Sequence, residues 1–369
     1  MPPAIHARWK LRTEPRVRPI VELPWYPPAA AASAVLLRHP WLYGALLPLR
    51  LGGPLGLRLR PADRELAILR AGWNCGGYYD WGHHVNTGLL LGRDWWYVKR
   101  VARGPDAPGW KARQAALLAA ADELYQNQVV SAVTWKALGE TLGGRARVDL
   151  CLLVGLREAG AMLSRSLGVP FDGWSSLPLR MPPVPPEPAR PAQVAAGGRP
   201  PARVDVPAGS AAQPPGAPAL AWFPLSPRAR RLLEAHPGML PAARMCARIV
   251  RGRLSFVGPD CDLVLRRTLV NCGTDYEWAR EEWSLRPGAG RTGPREKALL
   301  RAADELHHDR FIADLTWAEL TGFNDVRRLI ELCFAVGAFR MLAMTLNTLD
   351  AHATPSSPGG SPAGQSPLY

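Results

Sequence analysis

The sequence predicts an all-α protein made of two related helical domains joined by a Pro/Ala-rich linker. Three observations carry that expectation. Apolar residues recur at helical spacing, as in Leu66, Leu69 and Trp73 at i, i+3, i+7. The alternating apolar and polar runs that mark strands are nearly absent. The pattern Asn74-Cys-Gly-Gly-Tyr-Tyr-Asp-Trp81 returns as Asn271-Cys-Gly-Thr-Asp-Tyr-Glu-Trp278, at an offset of 197.

The elements follow in order. Residues 1–28 are rich in Pro and Arg and read as an extended arm lying on the first domain. From Ala30 to Leu51 the pattern is helical, broken at His39-Pro40. Pro61 suits a first helical position, with Asp63 and Glu65 in the acid-preferring first turn. Gly76-Gly77 should end that helix and supply positive φ angles. A helix from about Tyr78 to Leu90 then places Asp80 and His84 on one face at i, i+4. Helices through Trp95-Trp-Tyr97, Lys111 to Gln126, Thr134 to Leu142 and Val148 to Leu167 complete a domain assigned to residues 1–170.

Residues 171–218 hold Pro, Ala, Gly and Ser with few large apolar side chains, too little to bury, and read as a semi-rigid linker. Residues 219–350 form the second domain. There Leu233-x-x-His236-Pro237 matches Leu36-x-x-His39-Pro40 at the same offset of 197. Further on, Ala303-Asp-Glu-Leu and Thr316-Trp317 match Ala121-Asp-Glu-Leu and Thr134-Trp135 at an offset of 182. The second copy is therefore shorter by about one helix, the one carrying Trp95-Trp-Tyr97. Its last helix shows an amphipathic stripe, Leu329, Leu332, Cys333 and Val336. Residues 351–369 read as a disordered tail.

With 369 residues and 47% hydrophobic composition, two cores are within reach. The net charge of +14 would suit an anionic partner. Only five of the 45 basic residues are lysine, however, and no nucleic-acid motif accompanies them, so the excess points to composition rather than to nucleic acid. No apolar run is expected to reach the roughly 18 residues that span a bilayer, the longest candidate being Ala29 to Leu37, and the N-terminus lacks an apolar signal core. Those features predict a cytoplasmic protein with no membrane segment. The six cysteines are scattered, with no Cys-x-x-Cys and no zinc-like spacing, so no metal is expected; Cys151 and Cys333 read as buried thiols.

Leu36-Leu-Arg-His-Pro40, Asp63-Arg-Glu-Leu-Ala-Ile-Leu-Arg70 and Tyr79-Asp-Trp-Gly-His-His-Val85 resemble the carboxymuconolactone decarboxylase family, which includes the alkylhydroperoxidase D-like proteins. Ala303-Asp-Glu-Leu-His-His-Asp-Arg310 with Thr316-Trp317 resembles that family's downstream segment. The resemblance implies a helical fold that assembles into dimers, trimers or hexamers. It also implies a pocket between a glutamate on one helix and a histidine on the next, positions on which Glu65 and His84 fall. The peroxidase branch carries a Cys-x-x-Cys before the histidine; Gly77 and Asp80 hold those places here. An isolated Cys75 cannot form and reopen a disulfide within its own site.

What remains is an acid/base set of Glu65, Asp80 and His84, with Tyr79 and Cys75 as auxiliaries. Arg70, Trp95 and Trp96 are the candidates for holding a substrate. The expected function is cofactor-free decarboxylase, isomerase or lyase chemistry on a small carboxylated or lactone-like metabolite. Two alternatives stand beside it: a thiol peroxidase using Cys75, and a non-catalytic binding or scaffold protein presenting Arg244, Arg248 and Arg251. The second copy has Asp262, Glu277 and Glu281 where the first has Glu65, Asp80 and His84. Without an imidazole it is expected to be inactive and to pack on the first as a pseudo-dimer, with further homo-oligomerisation.

Overall fold

A computed structural model describes residues 16–20, 30–44, 58–169, 255–256, 258–274 and 293–349. Among these the regular structure is entirely helical. The expectations about the linker, the tail, most of the N-terminal arm, the segment shortened in the second copy, Arg244, Arg248, Arg251, Glu277 and Glu281 lie outside the described residues.

The helices are α1 (Ala30–Leu36), α2 (Pro61–Asn74), α3 (Tyr78–Leu90), α4 (Trp95–Arg103), α5 (Ala112–Asn127), α6 (Ala132–Gly139) and α7 (Gly144–Leu167). In the C-terminal half come α8 (Pro259–Asn271), α9 (Pro294–His308), α10 (Asp314–Thr321) and α11 (Val326–Leu349). Pro61 occupies the first position of α2, where its missing N–H costs nothing. Gly76 closes that helix with φ +61°. Gly77 does not share the left-handed conformation, since its φ is −79°. Its constraint is space: a Cβ there would lie 3.1 Å from the Ala161 Cβ.

The centre of the molecule is the crossing of α7 and α11, each 24 residues long. Two glycines let the backbones approach. A Cβ on Gly155 would sit 2.8 Å from the Met341 Cα, and one on Gly337 would sit 2.8 Å from the Ala159 Cα. Every residue of α11 from Leu329 to Leu349 is buried, so the amphipathic stripe expected there is replaced by burial on all sides. By length and composition α11 is apolar enough to cross a membrane, which corrects the expectation that no apolar run reaches that length; in this structure it is the central helix of the core. Its two charged side chains beyond the first turn, Glu331 and Arg340, are both paired.

Polar contacts recur between the halves at the offsets 197 and 182. Arg70 grips Asp122 in a bidentate pair (2.5 and 2.7 Å) that Asn74 joins at 2.7 Å. Arg267, Asp304 and Asn271 repeat this at 2.5, 2.8 and 2.8 Å. Asp63 pairs with Arg113, and Asp260 with Arg295. Glu123 takes the Ser131 N–H and the Thr134 hydroxyl; Glu305 takes the Ala313 N–H and the Thr316 hydroxyl. Gln128 and Arg310, also 182 apart, are the non-glycine residues with positive φ, 57° and 61°, among those described. Each contact ties a helix start or end to a neighbouring helix, fixing the frame on which α2, α3 and α7 meet.

Candidate active site

The site is built where α3 faces α7. The Gly76-Gly77 turn reverses the chain so that α2 and α3 lie side by side, and Glu65 on α2 reaches His84 on α3. Nδ1 of His84 lies 3.0 and 3.2 Å from the two carboxylate oxygens of Glu65. A carboxylate only accepts, so Nδ1 is the donor, and in the neutral ring the lone pair is then on Nε2. Nη1 of Arg157 on α7 lies 3.4 Å from Nε2, a long contact on the opposite edge of the ring. The two side chains are mostly buried, with 22% of His84 and 27% of Glu65 exposed, which leaves His84 reachable.

His84 opens onto a cavity of about 180 Å³. The α3 wall is Tyr79, Asp80, His83 and His84; the α7 wall includes Leu156, Arg157, Leu163 and Ser164. Ala32 and Leu36 of α1 close one side, and Phe334 of α11 reaches in from the C-terminal half. Asp80 Oδ2 accepts the Ser164 hydroxyl at 3.0 Å. The Tyr79 hydroxyl accepts the Ala32 N–H at 3.2 Å, which pins α1 across the cavity, and the His83 ring stands edge-on to the Tyr79 ring at 4.6 Å.

Four of the residues singled out in the sequence therefore converge: Glu65, Asp80, His84 and Tyr79. Four others do not. Arg70 is held by Asp122 and by the carbonyls of Val101 and Ala102 at 2.8 Å, so it clamps α4 and α5 to α2 instead of facing a ligand. Trp95 packs partly buried against the core and Trp96 stands 67% exposed under the Lys99 ammonium; neither lines the cavity. Cys75 is 2% exposed and absent from the cavity wall. Burial, then the Glu158 carboxylate, push its thiol up to about 12 despite three nearby arginines, so almost none of it is thiolate at neutral pH.

Arg157 and Ser164 were not legible as site residues in the sequence. The available signal was the adjacent pair Arg157-Glu158 inside a long apolar stretch, where an ionic group persists only if it is paired or in use. No described cluster of His, Cys, Asp and Glu has the geometry of a metal site. In comparisons with protein-family models, curated proteins and solved structures, nothing matched the chain.

Proposed function

We propose that this protein is a cofactor-free acid/base enzyme of the decarboxylase, isomerase or lyase type, acting on a small carboxylated or lactone-like metabolite at His84. The observation that carries the reading is the orientation of one ring. Glu65 holds Nδ1 of His84 at 3.0 Å, while the other edge of the imidazole faces Arg157 beside the cavity. A carboxylate behind the ring fixes the tautomer and stabilises the imidazolium that forms when Nε2 takes a proton. A substrate carboxylate would compete for the Arg157 guanidinium and release Nε2 for that step. Asp80 supplies a second group able to receive or return a proton at the far side of the substrate.

The same proposal takes the chain as two copies of a carboxymuconolactone decarboxylase-like domain, the second acting as a built-in assembly partner in a pseudo-dimer, with further homo-oligomers open to it. The recurring contacts of α2 with α5 and of α8 with α9 support this. So does the cavity wall: the α11 positions 182 residues after Arg157 and Ser164 are Phe339 and Leu346, both buried. The peroxidase alternative gains nothing from a thiol as inert as Cys75. The test is solvent-deuterium exchange into small oxo acids and lactones, followed by NMR. His84→Gln or Glu65→Gln should slow exchange by about 10²- to 10⁴-fold while the helical fold is retained. Undiminished exchange in both variants would remove the assignment.

A further inference from the structure

The polar groups of the cavity are arranged as two opposed poles. Asp80 and His84 stand one helical turn apart along α3. Arg157 lies against His84 at 3.4 Å and Ser164 against Asp80 at 3.0 Å, so α7 reinforces each pole with a group of suitable kind. One pole is cationic and donates hydrogen bonds; the other is a carboxylate that accepts them. The remaining wall is mostly apolar, with Leu156, Leu163 and Phe334 among its residues and the Tyr79 and His83 rings on the α3 side.

We infer that the ligand of this cavity carries one carboxylate and, about 6 Å away along the rise of four helical residues, a hydroxyl or amino group. The inference rests on the proposed role of His84. The carboxylate belongs at Arg157, where a guanidinium offers paired donors. The donor group belongs at Asp80, which has an oxygen beyond the one that takes the Ser164 hydroxyl. A second carboxylate at that end would meet a like charge in a partly desolvated wall, so dicarboxylates are excluded. The body between the poles is apolar and no larger than one ring. An apolar cavity of roughly 150 Å³ holds a benzene molecule, and this one is about 180 Å³.

The experiment uses the full chain and three rigid acids that differ at one end: benzoate, 4-aminobenzoate and terephthalate. Their affinities are measured by ligand-observed NMR titration, with no turnover required. The expected order is 4-aminobenzoate about 10-fold tighter than benzoate, and terephthalate about 10-fold weaker than benzoate. Asp80→Asn should bring terephthalate to within about 2-fold of benzoate, and Arg157→Gln should weaken all three. If Asp80→Asn does not fold, Asp80→Ser removes the same charge with less bulk. Terephthalate binding as tightly as benzoate, an unchanged order in both Asp80 variants, or no binding of any acid at millimolar concentration would overturn the inference. His84→Gln separates this from the catalytic reading: it should abolish proton exchange and leave the affinity order intact. An ordered series without exchange in the parent protein would sink the catalytic reading alone.

Discussion

Helices α7 and α11 hold corresponding places in the two halves, yet they use their polar side chains in opposite ways. On α7, Arg157 faces the cavity while its neighbour Glu158 faces the seam between the halves. On α11, 182 residues later, Phe339 and Arg340 stand in those places. Arg340 reaches back to Glu158 at 2.9 Å, joined by Arg310 at 3.2 Å, and all three are at most 1% exposed. A seam between identical halves would set Glu158 against another Glu158, or Arg340 against another Arg340. Here opposite charges meet in that seam, and Arg157, the neighbour of Glu158, faces the cavity. Of the adjacent α7 pair one side chain, Arg157, lies at the cavity and the other, Glu158, in the seam, whereas Arg340 of α11 lies in the seam.

The largest test of that division separates two adjacent residues. Glu158→Gln removes the anion between two buried guanidiniums, and leaving buried charge uncompensated costs about 3–5 kcal/mol. Arg157→Gln should change stability by no more than about 1 kcal/mol, as for most partly exposed positions, while weakening ligand binding. Urea unfolding of both variants measures the gap. Equal losses would erase the distinction between a seam residue and a site residue.

Next in size is the glycine crossing. Gly337→Ala would drive a Cβ to 2.6 Å from the Ala159 Cβ and 2.8 Å from its Cα, where a flexible side chain cannot yield. Overpacking of this kind costs about 1–3 kcal/mol. Gly160→Ala, on the same stretch of α7, meets nothing within 4 Å and should be neutral or stabilising by up to about 1 kcal/mol through helix propensity. Thermal unfolding that ranks Gly160→Ala below Gly337→Ala would show that the helices are not held at this approach.

The contrast between α7 and α11 also marks where the sequence was readable. Local signals located α2 and α3 closely, because Pro61, Gly76 and the acidic first turn act on a few neighbouring residues. Glu65 and His84 were picked out through the resemblance to a family pattern, and they meet at 3.0 Å because the Gly76-Gly77 turn lays α3 beside α2. Arg70, Trp95 and Trp96 misled because composition says what a side chain could hold and not which way its helix faces. The partner that claims Arg70 lies 52 residues away. For α11, stripes of apolar residues show that one face is buried; that the remaining faces are buried too depends on α7, far off in the chain. Arg157 and Ser164 escaped for the same reason, since helical spacing does not distinguish a cavity wall from a core.

A smaller effect follows from His307, the α9 counterpart of Tyr125. His307 is fully buried, and its Nδ1 lies 2.9 Å from Nη1 of Arg340. Burial first, then the Arg340 and Arg310 guanidiniums, push its pKa far below the ordinary value of 6.5. The unfolded chain therefore binds a proton below about pH 6.5 that the native protein refuses. Stability from this group is complete above that pH and falls by about 1.4 kcal/mol per pH unit below it. Removing the imidazole with His307→Asn should flatten the stability curve between pH 6.5 and 5 by that slope. An unchanged slope would mean that His307 is protonated in the seam, and that its charge and not its neutrality is accommodated there.

The smallest expected difference concerns the thiol that both halves carry at the same place. Cys75 follows α2 and Cys272 follows α8, each as the helix C-cap, and both are buried. Burial raises both thiols, Cys75 to about 12. Relative to an ordinary cysteine, a rise of roughly three units lowers the thiolate fraction at neutral pH by about 10³-fold. If the shared cysteine is packing in both halves, native protein treated with iodoacetamide should show slow labelling at Cys75 and Cys272, resolved residue by residue by mass spectrometry. Both should become labelled together when the chain unfolds. Cys75→Ala should leave proton exchange at His84 unaltered. Rapid labelling of Cys75 with Cys272 silent would restore a reactive thiol to the first half and place the difference between the halves in redox chemistry, where the buried geometry of Cys75 gives it no footing.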